Sequence, residues 1–353
     1  MQKLALLIFI SAFLASFPKL LLAQEETEPA LHQGFDFQPA QMADAHMPSY
    51  PAVSLRDGEE GWVVVNFMVD TEGKPYEEIV LASSGNRWME QSAVEAVLKS
   101  KFSPSSLNGE YIDGSLTRKY TYALTDGVAA SQTFGARYNS FNRAIEEGDA
   151  EEALSLLERM ERIQTNLYEN AIYNYSAYRL ANLEGDIHGQ RRSLSQAISY
   201  ADTTDNNRTS FLPEEFLPSA VFELFRLQVN TGYYAEAMQT FDWIIEDDLL
   251  DEDAVAGIQP TYDQLSLIKD DDNAYSVEAE IDELLSWGIR LHKSVFYLSN
   301  VEGQVDELKL RCQGAYRVFP YQEEATYNLP ESWGRCNLQV IGIPDTTFYL
   351  TQQ

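Results

Sequence analysis

The chain has 353 residues, of which 44% are apolar, so it can bury ordinary globular cores and is long enough for two or three domains. Its formal net charge is -30. Such an acidic surface repels nucleic acid and anionic lipid, which excludes both as expected partners. It favours basic partners, or simply a well-solvated surface.

The first 23 residues predict a targeting segment. Lys3 precedes a short apolar run that ends before Pro18, and Leu21-Leu22-Ala23 offers a cleavage site. A spanning helix needs about twenty apolar residues, more than this run supplies. We interpret residues 1–23 as a signal peptide, with an uncleaved inner-membrane anchor as the alternative. No later stretch predicts a membrane span.

Residues 24–45 predict a polar linker. Its only prolines are Pro29 and Pro39, too few for a stiff polyproline spacer. The linker leads into a small α+β unit at residues 46–126.

Apolar periodicity predicts the elements of that unit. A strand from Trp62 has the period-two alternation of a sheet with one buried face, and it forms a hairpin that ends at Leu81. A helix at 88–102 follows, since its apolar residues recur at three- and four-residue spacings. Residues 116–124 predict the third strand.

Six short motifs punctuate these elements. In chain order they are Tyr50-Pro51, Gly58-Glu59-Glu60-Gly61, Asp70-Thr71-Glu72-Gly73, Ser83-Ser84-Gly85, Phe102-Ser103-Pro104 and Asn108-Gly109. Their order and spacing resemble the C-terminal domain of the TonB family over residues 47–124.

The resemblance implies a periplasmic β-β-α-β domain that binds a protein partner by lending a strand edge, as energy-transducing members do to outer-membrane receptors. Such pairing takes its affinity from main-chain hydrogen bonds. The implied partner-binding residues are Tyr50, Pro51, Leu116, Arg118, Tyr120 and Tyr122. In the alternative interpretation, another part of this chain covers the edge. If a partner strand adds here, Tyr120→Pro should abolish its binding.

Residues 127–293 predict a helical region. Glycines at 148, 185 and 232 each separate two amphipathic helices, at spacings of 37 (185 − 148) and 47 (232 − 185). The third turn, Gly232-Tyr233-Tyr234 followed by Ala235-Glu236-Ala237, resembles the tetratricopeptide repeat, whose period is about 34. An insertion at Asp202–Phe211 lengthens the second interval. Such repeats often bind peptides, and a scaffold without a ligand is the alternative.

Four tyrosines of this region, Tyr168, Tyr173, Tyr175 and Tyr178, either line a concave face or pack between helices, and packing is the favoured interpretation.

Residues 294–353 predict a small β domain. Its expected strands are 294–298, 308–312, 315–319, 336–343 and 347–350. The two cysteines, Cys312 and Cys336, both lie here, and an exported chain would pair them. That bond closes a loop of 24 residues (336 − 312) and stabilises the domain by about 3 kcal/mol.

No pattern indicates an enzyme, a metal site or a cofactor. The four histidines, His32, His46, His188 and His292, lie far apart, and nucleophile-elbow, phosphate-loop and Cys-x-x-Cys motifs are missing from the sequence. Acidic runs such as Asp270-Asp271-Asp272 lack the order of a calcium loop.

We therefore predict a multidomain α+β protein: a small TonB-C-like β-β-α-β domain, an α-helical repeat (TPR-like) region, and a disulfide-stapled β domain. The predicted function is protein–protein interaction in the periplasm. The alternative is a divergent energy transducer at the inner membrane, although that function needs a permanent anchor and a Pro-rich spacer.

Overall fold

The computed structural model describes residues 36–124, 130–198, 210–281 and 285–353. The predicted signal peptide and residues 24–35 of the predicted linker lie outside the described residues. So does most of the insertion predicted at 202–211.

The N-terminal region forms a three-stranded antiparallel sheet with one long helix on it. Its elements are β1 (Phe37–Gln38), β2 (Gln41–Asp44), α1 (Ala52–Asp57), β3 (Gly61–Val69), β4 (Pro75–Ser83), α2 (Arg87–Lys99), β5 (Lys101–Ser103), β6 (Ser105–Leu107), β7 (Glu110–Ile112) and β8 (Gly114–Tyr122). The sheet order is β4-β3-β8. Helix α2 buries Met89, Ala93 and Val97 against Val63, Val65 and Phe67.

The end of the predicted linker belongs to this region. β1 pairs with β6, and β2 pairs with β5. Between them Ala40 is buried, and its N–H donates to Ser105 Oγ at 2.9 Å. Residues 37–44 are therefore part of the folded domain, because their main chain pairs with β5 and β6. The apolar periodicity of the sequence did not indicate these two short strands.

The punctuation motifs are turns with specific backbone needs. Gly73 has φ +82°, and its carbonyl oxygen accepts the Phe102 N–H at 3.1 Å. The side chain of Asn86 caps α2 by accepting from the N–H groups of Trp88 and Met89. Asn108 and Gly109 both have positive φ, as the two-residue turn between β6 and β7 requires.

The middle region consists of seven helices among the described residues: α3 (Gln132–Glu147), α4 (Ala150–Glu161), α5 (Leu167–Glu184), α6 (Ile187–Ile198), α7 (Leu217–Asn230), α8 (Tyr234–Glu246) and α9 (Glu252–Asp270). The glycines at 148, 185 and 232 take positive φ between the helices of the three predicted pairs. The four tyrosines pack against the helical core, and the Tyr175 ring stacks on Phe216.

The helical region ends earlier than predicted. Residues 275–290 were assigned to helices and instead form β9 (Tyr275–Glu280) and β10 (Ser286–Arg290). In β9 the buried Val277 and Ala279 alternate with exposed Ser276, Glu278 and Glu280, which is strand periodicity.

The remaining elements are β11 (Val295–Glu302), β12 (Val305–Cys312), β13 (Tyr316–Pro320), β14 (Thr326–Asn328), a 3-10 turn (Glu331–Trp333), β15 (Cys336–Gly342) and β16 (Thr347–Gln352). They form two antiparallel sheets, β10-β15-β12-β13 and β14-β11-β16-β9, which share one hydrophobic core. Cys312 and Cys336 lie opposite each other on β12 and β15 and form the predicted disulfide.

The three regions contact one another across the second face of the N-terminal sheet. Trp62 Nε1 donates to Asn170 Oδ1 at 3.2 Å, and Trp62 packs with Leu167 of α5. At the other end of the sheet, Arg311 donates to the Glu77 carbonyl. All nine residues of β3 are buried, so the prediction of a single buried face was wrong.

Candidate partner-binding edge

β8 is a terminal strand of the N-terminal sheet, as the resemblance implied. It pairs with β3 through nine consecutive residues without a bulge. β4, the opposite terminal strand, carries two register shifts against β3. Bulges make an edge a poor template for a further strand, so β8 is the better candidate for strand addition.

The hydrogen-bond pattern shows which residues of β8 face outward. Trp62 directs its main chain to β4, since its carbonyl accepts the Ser84 N–H at 2.9 Å. Main-chain direction alternates along a strand, so Val63 faces β8 and pairs with Tyr120. The outward-facing main-chain groups of β8 therefore belong to the odd positions: Ser115, Thr117, Lys119 and Thr121.

The predicted site residues of β8 lie at the even positions, so their main-chain groups pair with β3. Leu116, Tyr120 and Tyr122 are buried in the core beneath α2. The Tyr122 hydroxyl donates to the Met89 carbonyl at 2.9 Å, and burial raises the pKa of Tyr122 to about 12. Arg118 packs its guanidinium 5.8 Å from the Tyr120 ring centroid.

The Tyr-Pro motif lies at the end of the same core. The Tyr50 ring meets the Tyr122 ring edge-on, with the ring centroids 5.7 Å apart, and its hydroxyl donates to the Glu59 carbonyl at 2.5 Å. Burial, with smaller contributions from Glu60 and Glu59, raises the pKa of Tyr50 to about 12. Pro51 precedes α1 as its N-cap. These residues brace the sheet and border a hollow of about 290 Å³.

Side chains at the odd positions of β8 point to the second face, toward the helical region. The Lys119 ammonium lies 5.8 Å from the Trp62 ring centroid and 5.3 Å from that of Phe211. Thr121, near the end of the strand, is exposed. Lys119 is only 3% exposed, and Gly114 at the start of β8 lies against the Gln313 carbonyl oxygen. The end of the edge at Thr121 is therefore the part that a partner strand could reach first.

Among residues 36–124, 130–198, 210–281 and 285–353, no group of His, Cys, Asp and Glu side chains is arranged to hold a metal ion. In the same part of the chain, every helix is too short or too polar to cross a bilayer.

Comparison with known proteins assigns the N-terminal region. Residues 46–124 match the family described as Gram-negative bacterial TonB protein C-terminal. Protein TonB of Vibrio cholerae is 34% identical over 93 residues, which are 24% of this chain and 38% of that protein. Protein TonB of Xanthomonas campestris pv. campestris is 34% identical over 77 residues, or 22% of this chain and 34% of that protein.

The solution NMR structure of the Pseudomonas aeruginosa TonB CTD shares 26% identity and covers 28% of this chain and 94% of that one, with a TM-score of 0.22. The family match, with the relatives, identifies residues 46–124 as a TonB C-terminal domain, and this chain spans less than two fifths of those relatives' length.

Proposed function

We propose that this chain is a periplasmic protein that binds an extended segment of a cell-envelope protein as a further strand along β8. The observation that carries the proposal is the position of β8: an unbulged, nine-residue terminal strand within a TonB C-terminal domain. Affinity then comes from main-chain pairing, and specificity from side chains beside the edge. No enzymatic step is required.

The helical region would act as a scaffold of degenerate TPR-like repeats. Its three helix pairs turn at glycines, which supports a repeat origin. Phe211 and Leu167 of this region already pack on the second face of the sheet. We therefore assign the helices a bracing function rather than a separate peptide-binding function.

A substitution at Thr121 tests the edge. Thr121→Pro removes an outward-facing N–H, while the pairing of β8 with β3 keeps its hydrogen bonds. The lost interfacial hydrogen bond and the added bulk of the proline ring should together weaken partner binding about tenfold. Thr121→Ala keeps the N–H and should bind like wild type. Tyr120→Pro is unsuitable, because the Tyr120 main chain pairs with Val63 and its loss would damage the sheet itself.

The partner can be captured in living cells by a photoreactive amino acid at Thr121, with the same residue at Leu267 of α9 as the control. Leu267 is 72% exposed and lies outside the N-terminal domain. We expect an envelope-protein adduct from Thr121 alone. The affinity of the captured protein for the Thr121→Pro and Thr121→Ala variants is then measured, and equal affinities would refute strand addition at this edge.

A divergent energy transducer coupled to an outer-membrane receptor is the second candidate, because the relatives are themselves named Protein TonB. Mass spectrometry of the native N-terminus separates the two functions. We expect a periplasmic chain that begins near Gln24. An intact residue 1–23 segment in the inner-membrane fraction would instead favour the transducer.

A further inference from the structure

A deep cleft of about 980 Å³ lies between the three regions of the chain. The second face of the N-terminal sheet and β4 form one wall, α6 to α8 form another, and β9 and β10 form the third. Thr117 of β8 reaches the cleft lining, whereas Thr121, at the exposed end of that strand, lies outside it. The volume of the cleft is at the upper end of the range for small-molecule sites.

The β10 strand turns a main-chain edge toward this cleft. Its sheet order is β10-β15-β12-β13, so β10 is terminal. The Leu285 carbonyl accepts the Gly342 N–H, and the Leu291 N–H donates to the Cys336 carbonyl. The main-chain groups of the odd positions of β10 therefore face β15. The main chains of the even positions, Ser286, Gly288 and Arg290, therefore face the cleft.

One of these outward groups already has an acceptor. The Arg290 N–H donates to Glu236 Oε1 of α8 at 2.8 Å, where a neighbouring strand would place a carbonyl oxygen. No hydrogen bond from a described residue reaches the cleft-facing main chain of Gly288, which is exposed. The Glu236 carboxylate thus occupies one end of the edge and leaves its middle open.

β9 presents a second edge to the same cleft. It is the terminal strand of the other sheet, and the Ile281 N–H donates to the Thr346 carbonyl at 2.9 Å. By the same alternation, the main chains of Glu278 and Glu280 face away from β16, and both residues line the cleft. Two strand edges therefore meet at one cavity.

The helical wall carries buried polar atoms without partners among the described residues: Arg191 Nε, Glu236 Oε2 and Gln239 Nε2. The Arg191 guanidinium lies 3.5 Å from the Tyr233 ring centroid, and burial raises the pKa of the Glu236 carboxyl. A buried polar group without a partner costs about 1 to 3 kcal/mol, so an occupant that offers donors and acceptors would be stabilised here.

We propose that this cleft binds an extended peptide of neutral or positive net charge as an added strand on β10. A peptide main chain supplies N–H and C=O groups alternately at the strand spacing of about 3.3 Å, which matches the two edges. It also supplies both donors and acceptors to Arg191, Glu236 and Gln239. The cleft lining has five acidic residues and four arginines, and the whole chain carries a formal charge of -30, so an acidic peptide is disfavoured.

Gly288 gives a matched pair of variants. A Cβ added there meets only the Leu338 carbonyl oxygen, at 3.5 Å, so Gly288→Ala fits without displacement. Gly288→Pro removes the N–H that faces the cleft and leaves the hydrogen bonds to β15 in place. The two variants differ chiefly in that donor.

The probe is a random 12-residue peptide library displayed on phage and selected against the full chain. Enriched peptides are synthesised, and their affinities are measured by fluorescence polarisation. We expect wild-type affinity for Gly288→Ala, at least tenfold weaker binding for Gly288→Pro, and unchanged binding for Thr121→Pro. That last result separates the cleft from the β8 edge.

A second pair of variants keeps the test decisive if Gly288→Pro does not fold. Leu81 lines the cleft and is 52% exposed, so Leu81→Trp adds bulk inside it, whereas Leu267→Trp adds the same bulk on α9. We expect at least tenfold loss for the first and none for the second. The proposal is overturned if no peptide is enriched, if the enriched peptides are acidic, or if they bind the cleft variants with wild-type affinity.

Discussion

Gly73→Ala is expected to destabilise the TonB C-terminal domain by about 3 kcal/mol, the combined cost of a left-handed backbone and of a packing clash. A Cβ at this position would lie 2.0 Å from the Phe102 carbonyl oxygen, which is a main-chain atom and cannot rotate away. The turn would have to separate from β5. Chemical denaturation followed by tryptophan fluorescence, to which the buried Trp62 contributes, measures the change.

Gly85→Ala is the matched control. Gly85 has φ +88°, close to the +82° of Gly73, yet a Cβ there has no heavy atom within 4 Å. It should cost only the backbone preference, about 1 kcal/mol. Equal losses for the two variants would show that the contact between the hairpin turn and Phe102 does not constrain the domain.

Removal of the disulfide is the second large effect. The Cys312→Ala/Cys336→Ala variant loses a cross-link over 24 residues, which corresponds to about 3 kcal/mol in the chain-entropy estimate. Both cysteines are buried, so reductant should act on wild type only after local opening. Denaturation midpoints are compared with and without reductant, and the variant should not respond to it.

The helical core supplies an internal reference for this experiment. Trp243 is buried among the helices, far in sequence from the cysteines, whereas Trp287 packs on the C-terminal core. If the double variant unfolds at the wild-type midpoint, the C-terminal sheets do not depend on the bond, and the entropic estimate is wrong here.

Local patterns in the sequence were sufficient for much of the fold. The alternation from Val63 to Val69 and the helical stripe of α2 specify their elements, and the turn motifs fix the breaks between them. The cysteine pair follows from the predicted export of the chain and from the position of both cysteines in one small domain. These features depend on neighbours within a few residues, so a single sequence carries them.

Other features depended on contacts distant in sequence. The run Trp62-Val63-Val64-Val65 is continuously apolar, which is typical of a strand buried on both faces, and this signal was missed. β10 has few apolar residues, so its pairing with β15 had no local signature. The cleft joins Arg191, Glu236 and Gly288 from three parts of the chain, and no spacing predicts that meeting.

The site residues show the same division. Period-two reasoning placed Leu116, Tyr120 and Tyr122 on one strand correctly, but it could not show that their main chains point inward. The direction of each peptide group follows from the register of β8 with β3, and that register cannot be read from the sequence. Thr121 became a candidate only when that register was known.

Because the helical region packs on the second face of the N-terminal sheet, the TonB C-terminal domain of this chain is poorly suited to transfer into another protein. Trp62 and Val64 would meet water in a host that lacks α5, and the Trp62 N–H would lose Asn170. A chimera built from residues 46–124 alone would therefore need polar replacements at those positions. Conversely, a grafted domain with polar residues at positions 62 and 64 would remove the apolar contacts of Leu167 with this face.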